Sequence, residues 1–247
     1  MICSSGIGFD PVVDGRRLHF VFEAIWQGTA VMFDRETYSL WMHITGECFA
    51  GPLAGKTLTR VPSGRHTTWL DWRTLHPETD VLEPEAKYLG RHDDKGYFGR
   101  EGSRSGDPYL PDLFVPTIQT KDKRLALADL VHGVVVEGKA RAYPFQRLAA
   151  GPGVVEERLG ETPVTVWFDA PSRSAAAFDA RLDGRVLRFE RLHEGGFRDL
   201  ETKSTWTMEG RAVRGPLDRR TLKPLFGLMT EWYGWYATYP DTTLWGD

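Results

Sequence analysis

The feature that most constrains this chain is a stretch that occurs twice. Phe33-Asp34-Arg35-Glu36-Thr37-Tyr38-Ser39-Leu40-Trp41, followed by Gly51-Pro52-Leu53, has a counterpart in Arg198-Asp199-Leu200-Glu201-Thr202-Lys203-Ser204-Thr205-Trp206, followed by Gly215-Pro216-Leu217. The match extends in both directions. Phe9-Asp10 and Val13-Asp14-Gly15-Arg16 answer to Phe178-Asp179 and Leu182-Asp183-Gly184-Arg185, and Trp69, Trp72, Pro77 and Thr79 answer to Trp232, Trp235, Pro240 and Thr242. The separation is 169 positions from Phe9 to Phe178, 165 from Asp34 to Asp199 and 163 from Trp69 to Trp232. Such small, stepwise drift is what short loop insertions and deletions give. Order and spacing together predict a duplicated folding unit.

The repeat divides the chain. Residues 1–82 form a first repeat lobe, 83–124 a long polar and aromatic connecting loop, and 125–247 a second lobe. Pro163 to Phe168 reads as a buried strand ahead of the second copy and has no partner ahead of the first. The reading therefore expects a first lobe trimmed at its start, with the native start upstream of Met1. Residues shared by both copies read as scaffold. Reactive side chains held by the first copy alone mark where a function has room. Cys3 stands opposite Ser172, Glu47 opposite Arg211, Cys48 opposite Ala212 and His76 opposite Tyr239, while His43 lies where the copies differ in length.

Local patterns predict mostly strands. Gly 26, Pro 15, Trp 9 and Phe 13 are spread along the chain with frequent turn signals, as in many short strands joined by tight turns. Val12 to Leu18 reads as a hairpin turning at Asp14-Gly15. Phe20 to Met32 reads as two strands turning near Gln27-Gly28, and Val134 to Tyr143 as a hairpin at Glu137-Gly138. Thr67 to Leu75 predicts a short helix, capped by Thr67 or Thr68 and stopped before Pro77, with Trp69, Trp72 and Leu75 on one side. The fold class expected is mainly β (β-rich α+β): two tandem pseudo-repeat lobes of short antiparallel strands, each with a short Trp-rich helix.

Composition excludes some functions. A net charge of −3 with scattered Lys and Arg gives no electrostatic footprint for nucleic acid. No apolar run is long enough to span a bilayer, and no signal peptide is evident. The chain as it stands reads as cytoplasmic, or exported if its native start lies upstream. Two cysteines do not make a disulfide framework.

Several of these segments together resemble a known family. Asp14-Gly15, Met32-Phe33-Asp34-Arg35, Ser39-Leu40-Trp41, Thr45-Gly46-Glu47, Gly51-Pro52-Leu53, Trp69-Leu70-Asp71-Trp72 with His76-Pro77, and Gly138 through Pro144 look like the bacterial proteins grouped as domain of unknown function 3179. The resemblance covers nearly the whole chain. It implies a Cys-x-x-Cys at the start of this region, whose second Cys matches Cys3, and export for many members. Members often have Gln where this chain has His43.

Three kinds of site are open to these residues. A transition metal (Zn, Cu or Fe) suits the thiols and imidazoles of Cys3, His43, Cys48 and His76. An acid–base pair of His43 and Glu47 requires both on one face of a strand, which a turn at Thr45-Gly46 would spoil. A ligand surface could draw on Trp26 and Glu47 with His92, Tyr97 and Arg100 of the connecting loop. Asp34 and Glu36, present in both copies, read as turn chemistry. The function expected is binding of a metal or small ligand in the first lobe. A metal-dependent oxidoreductase or hydrolase is one alternative, and a structural repeat module the other.

Overall fold

A computed structural model describes residues 2–61, 65–83, 85, 115–120 and 122–247. Its strands begin with tight hairpins. Val12–Val13 (β1) and Arg16–Arg17 (β2) turn at Asp14-Gly15, with φ of 50° and 77°. Phe20–Trp26 (β3) and Thr29–Asp34 (β4) turn at Gln27-Gly28, with φ of 48° and 73°. Both turns have the two left-handed residues of a type I′ hairpin, whose twist suits the flanking strands. Leu40–Met42 (β5) and Cys48–Ala50 (β6) complete an antiparallel sheet in the order β3-β4-β5-β6.

Trp69–Leu75 (α1) starts where the sequence predicts. The Thr68 hydroxyl caps it by accepting from the Asp71 amide at 3.2 Å. Its apolar side chains are not buried: Trp69 and Leu70 lie largely in solvent, and none of its residues reaches the core.

The rest of the chain builds a stack of sheets. Leu130–Val136 (β7) and Lys139–Pro144 (β8) form the hairpin expected at Glu137-Gly138, and Phe145–Ala150 (α2) follows. Val154–Leu159 (β9), Thr162–Asp169 (β10) and Ser174–Asp179 (β11) run as an antiparallel meander. Arg181–Leu182 (β12) and Arg185–Val186 (β13) are a hairpin. Phe189–Arg191 (β14), Phe197–Asp199 (β15), Thr205–Trp206 (β16) and Ala212–Arg214 (β17) form another four-stranded sheet. Lys223–Pro224 (β18) joins β11, and Phe226–Glu231 (β19) pairs with β7. Trp232–Thr238 (α3) then leads to Thr243–Leu244 (β20), which pairs in parallel with β8. The fold is mainly β, with three short helices among the described residues.

Alternation along two central strands sets the layers. In β10, Val164, Val166 and Phe168 enter one core with Val134, Val136 and Tyr143, while Trp167 enters another with Phe178, Phe189 and Phe197. In β7, Val134 and Val136 face β10, while Val131 joins Trp232, Tyr233 and Trp235 of α3. Both sheets are therefore covered on both faces, which is why their strands read as nearly continuous apolar runs. A separate core holds Val13, Leu18, Trp41, Cys48 and Leu58.

Two buried aspartates organise the turns that the sequence repeats. Asp34 accepts from the Thr37 amide (2.6 Å), the Thr37 hydroxyl (2.8 Å) and the Trp41 indole (2.9 Å). Asp199 accepts from the Thr202 amide (2.5 Å), the Thr202 hydroxyl (3.0 Å) and the Trp206 indole (2.9 Å). Burial opposes ionisation of Asp34, but these donors outweigh it and hold the carboxyl below its usual range.

Gly133 lets β7 approach α3 closely. A Cβ there would lie 2.3 Å from the Trp235 ring, itself fully buried. Gly133→Ala is expected to lower stability by about 1–3 kcal/mol, the usual cost of overpacking a core. Denaturant unfolding measures this, and an unchanged midpoint would contradict the tight packing of α3 on β7.

Candidate functional site

The structure brings two of the proposed metal ligands together. Cys3 lies in a single 3-10 turn, Ile2–Ser4, set against β19 and α3. Its sulfur is 3.8 Å from His43 Nε2 and 3.0 Å from Ser5 Oγ, and Ser5 Oγ is 2.8 Å from the same Nε2. On the other side of the ring the Ala30 amide donates to Nδ1 at 3.0 Å. The Ala30 carbonyl lies 3.2 Å from the same Nδ1, so the Ala30 backbone offers this nitrogen both a donor and an acceptor. Burial favours the neutral ring by lowering the His43 pKa. Burial also pushes the Cys3 thiol up to about 11. His43 thus lies beside a thiol that stays protonated, and a thiol in that state is a poor nucleophile.

Around this pair the bonds are structural. Thr230 Oγ1 donates to the Cys3 carbonyl (2.9 Å), Ser4 Oγ donates to Glu231 Oε1 (2.9 Å), and a Cβ on Gly234 would lie 2.9 Å from that of Cys3. Burial raises the Glu231 pKa. Burial, together with Glu231 and Cys3, pushes the Tyr233 hydroxyl far above its usual range.

The other two lie elsewhere. Cys48 packs beside Trp41 and donates to the Ala50 carbonyl at 3.4 Å. His76 caps the C-terminus of α1, with Nε2 2.6 Å from Glu209 Oε1 and its ring centroid 4.2 Å from that of Trp72. Both cysteines are free. Among the described residues, no three His, Cys, Asp or Glu side chains converge as metal ligands would.

Glu47 and Trp26 meet in an open groove of about 560 Å³ on the β3–β6 sheet, with Glu23 and Phe49. Trp26 is 45% exposed. Glu47 is separated from His43 by the turn at Gly46 (φ 71°), so the two do not form an acid–base pair. His92, Tyr97 and Arg100 lie outside the described residues.

A second constellation was missed by the sequence reading. Between α1, β11 and β19 lies a cavity of about 450 Å³. Its polar lining is Arg65, His66, His76, His132 and Glu209, and its apolar wall includes Ala176, Met208, Leu225 and Met229. His132 takes the β7 position that continues the Val134–Val136 core stripe, directly opposite Met229. It is only 3% exposed, and neither ring nitrogen has a hydrogen-bond partner. Its ring lies over β19 because Gly227 leaves room: a Cβ there would stand 2.5 Å from Nε2. Both terminal nitrogens of Arg65 are likewise buried and unpartnered. One signal for this site was legible, a histidine inside the apolar run Leu130 to Val136. Arg65 and His66 sit in an irregular segment before α1, where no periodicity singles them out.

Burial, with His66 nearby, holds the His132 pKa down to about 4. The unfolded chain then binds a proton near pH 6.5 that the native protein refuses until about pH 4. Stability from this group is complete above the unfolded pKa and lost as pH falls through that window, on the order of 3 kcal/mol in all. His132→Leu is expected to flatten the stability–pH curve between about pH 4 and 6.5. An unchanged slope in urea unfolding would show that His132 titrates normally.

A model of the family described as protein of unknown function (DUF3179) matches residues 1–242, and the chain belongs to that family. Neither the curated proteins nor the solved structures gave a match.

Proposed function

We propose that this DUF3179 family member is a small-molecule-binding protein whose ligand occupies the cavity between α1, β11 and β19. One observation carries the reading. His132 lies in an otherwise apolar strand face, wholly enclosed, with both nitrogens unpartnered at a cavity wall. An unsatisfied buried polar group costs about 1–3 kcal/mol, and such exceptions call for an explanation. A ligand that bonds to it supplies one. The size and mixed lining of the cavity suit a small organic molecule.

This reading keeps the site partly in the first lobe, since Arg65, His66 and His76 come from residues 1–82. It favours an organic ligand over a metal, because Cys3–His43 is closed by its own hydrogen bonds and lies apart from Cys48 and His76. An enzymatic role is a second reading, favoured by the 2.6 Å His76–Glu209 pair at the cavity wall, which could move a proton. Division into two related lobes is part of the same proposal. It is supported by the matching donors on Asp34 and Asp199, and by Trp72 Nε1 bonding Thr79 as Trp235 Nε1 bonds Thr242.

Phenyl-sized fragments are expected to bind and to shift NMR signals of Met229 and Trp72. At a hundredfold excess over Kd they should stabilise the protein by about 2.7 kcal/mol. Ala176→Leu, which fills the cavity, should abolish both effects. Fragment binding that survives this change would place the ligand elsewhere.

A further inference from the structure

We propose that the ligand of this cavity carries an acid group, a carboxylate or phosphonate-like anion, on a compact apolar body. The inference rests on the ligand-binding reading above. It starts from Arg65. A guanidinium offers five donors in a rigid fork that fits two anionic oxygens at once. Here both terminal nitrogens are withdrawn from solvent and bond to nothing. A cation in this position is normally paired, since removing a charge from water is costly.

The nearby carboxylates do not serve as its partner. Glu209, Asp71 and Asp169 act on Arg65 electrostatically, yet none bonds to it. Each is already engaged. Glu209 meets His76, Asp71 accepts from Thr67 Oγ1 at 3.2 Å, and Asp169 holds Arg191 at 2.5 Å and Ser172 at 2.5 Å. The remaining polar groups of the wall also favour a negative ligand. His66 and His132 are both potential donors, and neither nitrogen of His132 has a protein partner. An anion bridging Arg65 and His132 would accept from both terminal nitrogens of Arg65 and from the one N–H of the neutral His132 ring.

The apolar wall fixes the other half of the ligand. Ala175 and Ala176 of β11 are small and leave room, and Met208, Leu225 and Met229 line the space with carbon and sulfur. Met side chains adapt to varied apolar shapes. The cavity thus presents a cationic end and an apolar end, the arrangement that recognises an aryl or alkyl acid.

The test uses the full chain and four probes of one size: benzoate, phenylphosphonate, benzyl alcohol and benzylamine. Affinities are measured by calorimetry near neutral pH. Benzoate or phenylphosphonate is expected to bind at least tenfold tighter than benzyl alcohol, with benzylamine weakest, and the two acids against each other distinguish a carboxylate from a phosphonate site. Arg65→Gln should erase the preference for acids, bringing them to about the affinity of benzyl alcohol for the same variant. Arg65→Lys, which keeps the charge but loses the fork, should retain part of it and guards against a misfolded variant. Equal binding of the alcohol and the acids would overturn the acid-group inference and leave the cavity reading standing. Failure of all four probes would overturn that reading and the inference with it.

Discussion

The sheet β20-β8-β7-β19 is covered on both faces, and much else follows from that constraint. On one face, Val134 and Val136 meet the β9–β11 sheet; on the other, Val131 and Leu228 meet α3 and the turn that carries Cys3. No face of such a sheet can hand its polar groups to water, so each must find a partner inside the protein. The Tyr143 hydroxyl does so, donating to Glu157 at 2.5 Å. Thr230 does so through the Cys3 carbonyl. His132 does not, and that exception locates the cavity as the place where the packing is unfinished.

Two clusters of reactive side chains therefore have different standing. Around Cys3 and His43, both residues are tied: Ser5 and Ala30 bond to His43, Ser5 and Thr230 bond to Cys3, and the thiol is held protonated. This is an interlock that fastens the first residues to β19 and α3. Around Arg65 and His132, the groups that would normally be tied are loose, and the space beside them is large enough for a small molecule. Chemistry-bearing residue types alone did not separate the two; hydrogen-bond satisfaction did.

Much of the fold was legible in the chain. Asp14-Gly15 and Glu137-Gly138 turn as expected because a type I′ hairpin needs two left-handed residues, and those dipeptides tolerate them. Thr68 caps α1 for the reason its position suggested. Asp34 serves turn chemistry, and Cys3 and His43 do meet. What was not legible depends on tertiary layering. The two Trp-rich helices look alike in sequence, yet α3 is buried between β7 and the Cys3 turn while α1 stays exposed. Arg65 carries no local pattern, and only the fold brings it to one cavity with residues of β11 and β19. Cys48 and His76 were grouped with Cys3 by residue type, and the fold disperses them to the Trp41 core and the Trp72–Glu209 contact.

The central claim is that His132 is a neutral, unpartnered ring waiting at a binding cavity. The direct measurement is the ring nitrogen NMR of ¹⁵N-histidine-labelled protein across the acid range, with and without benzoate. The account predicts a neutral His132 in the free protein down to about pH 4 and a shift of its ring signals when benzoate is added. Protonation near pH 6.5 in the free protein, as for a solvated imidazole, would contradict it.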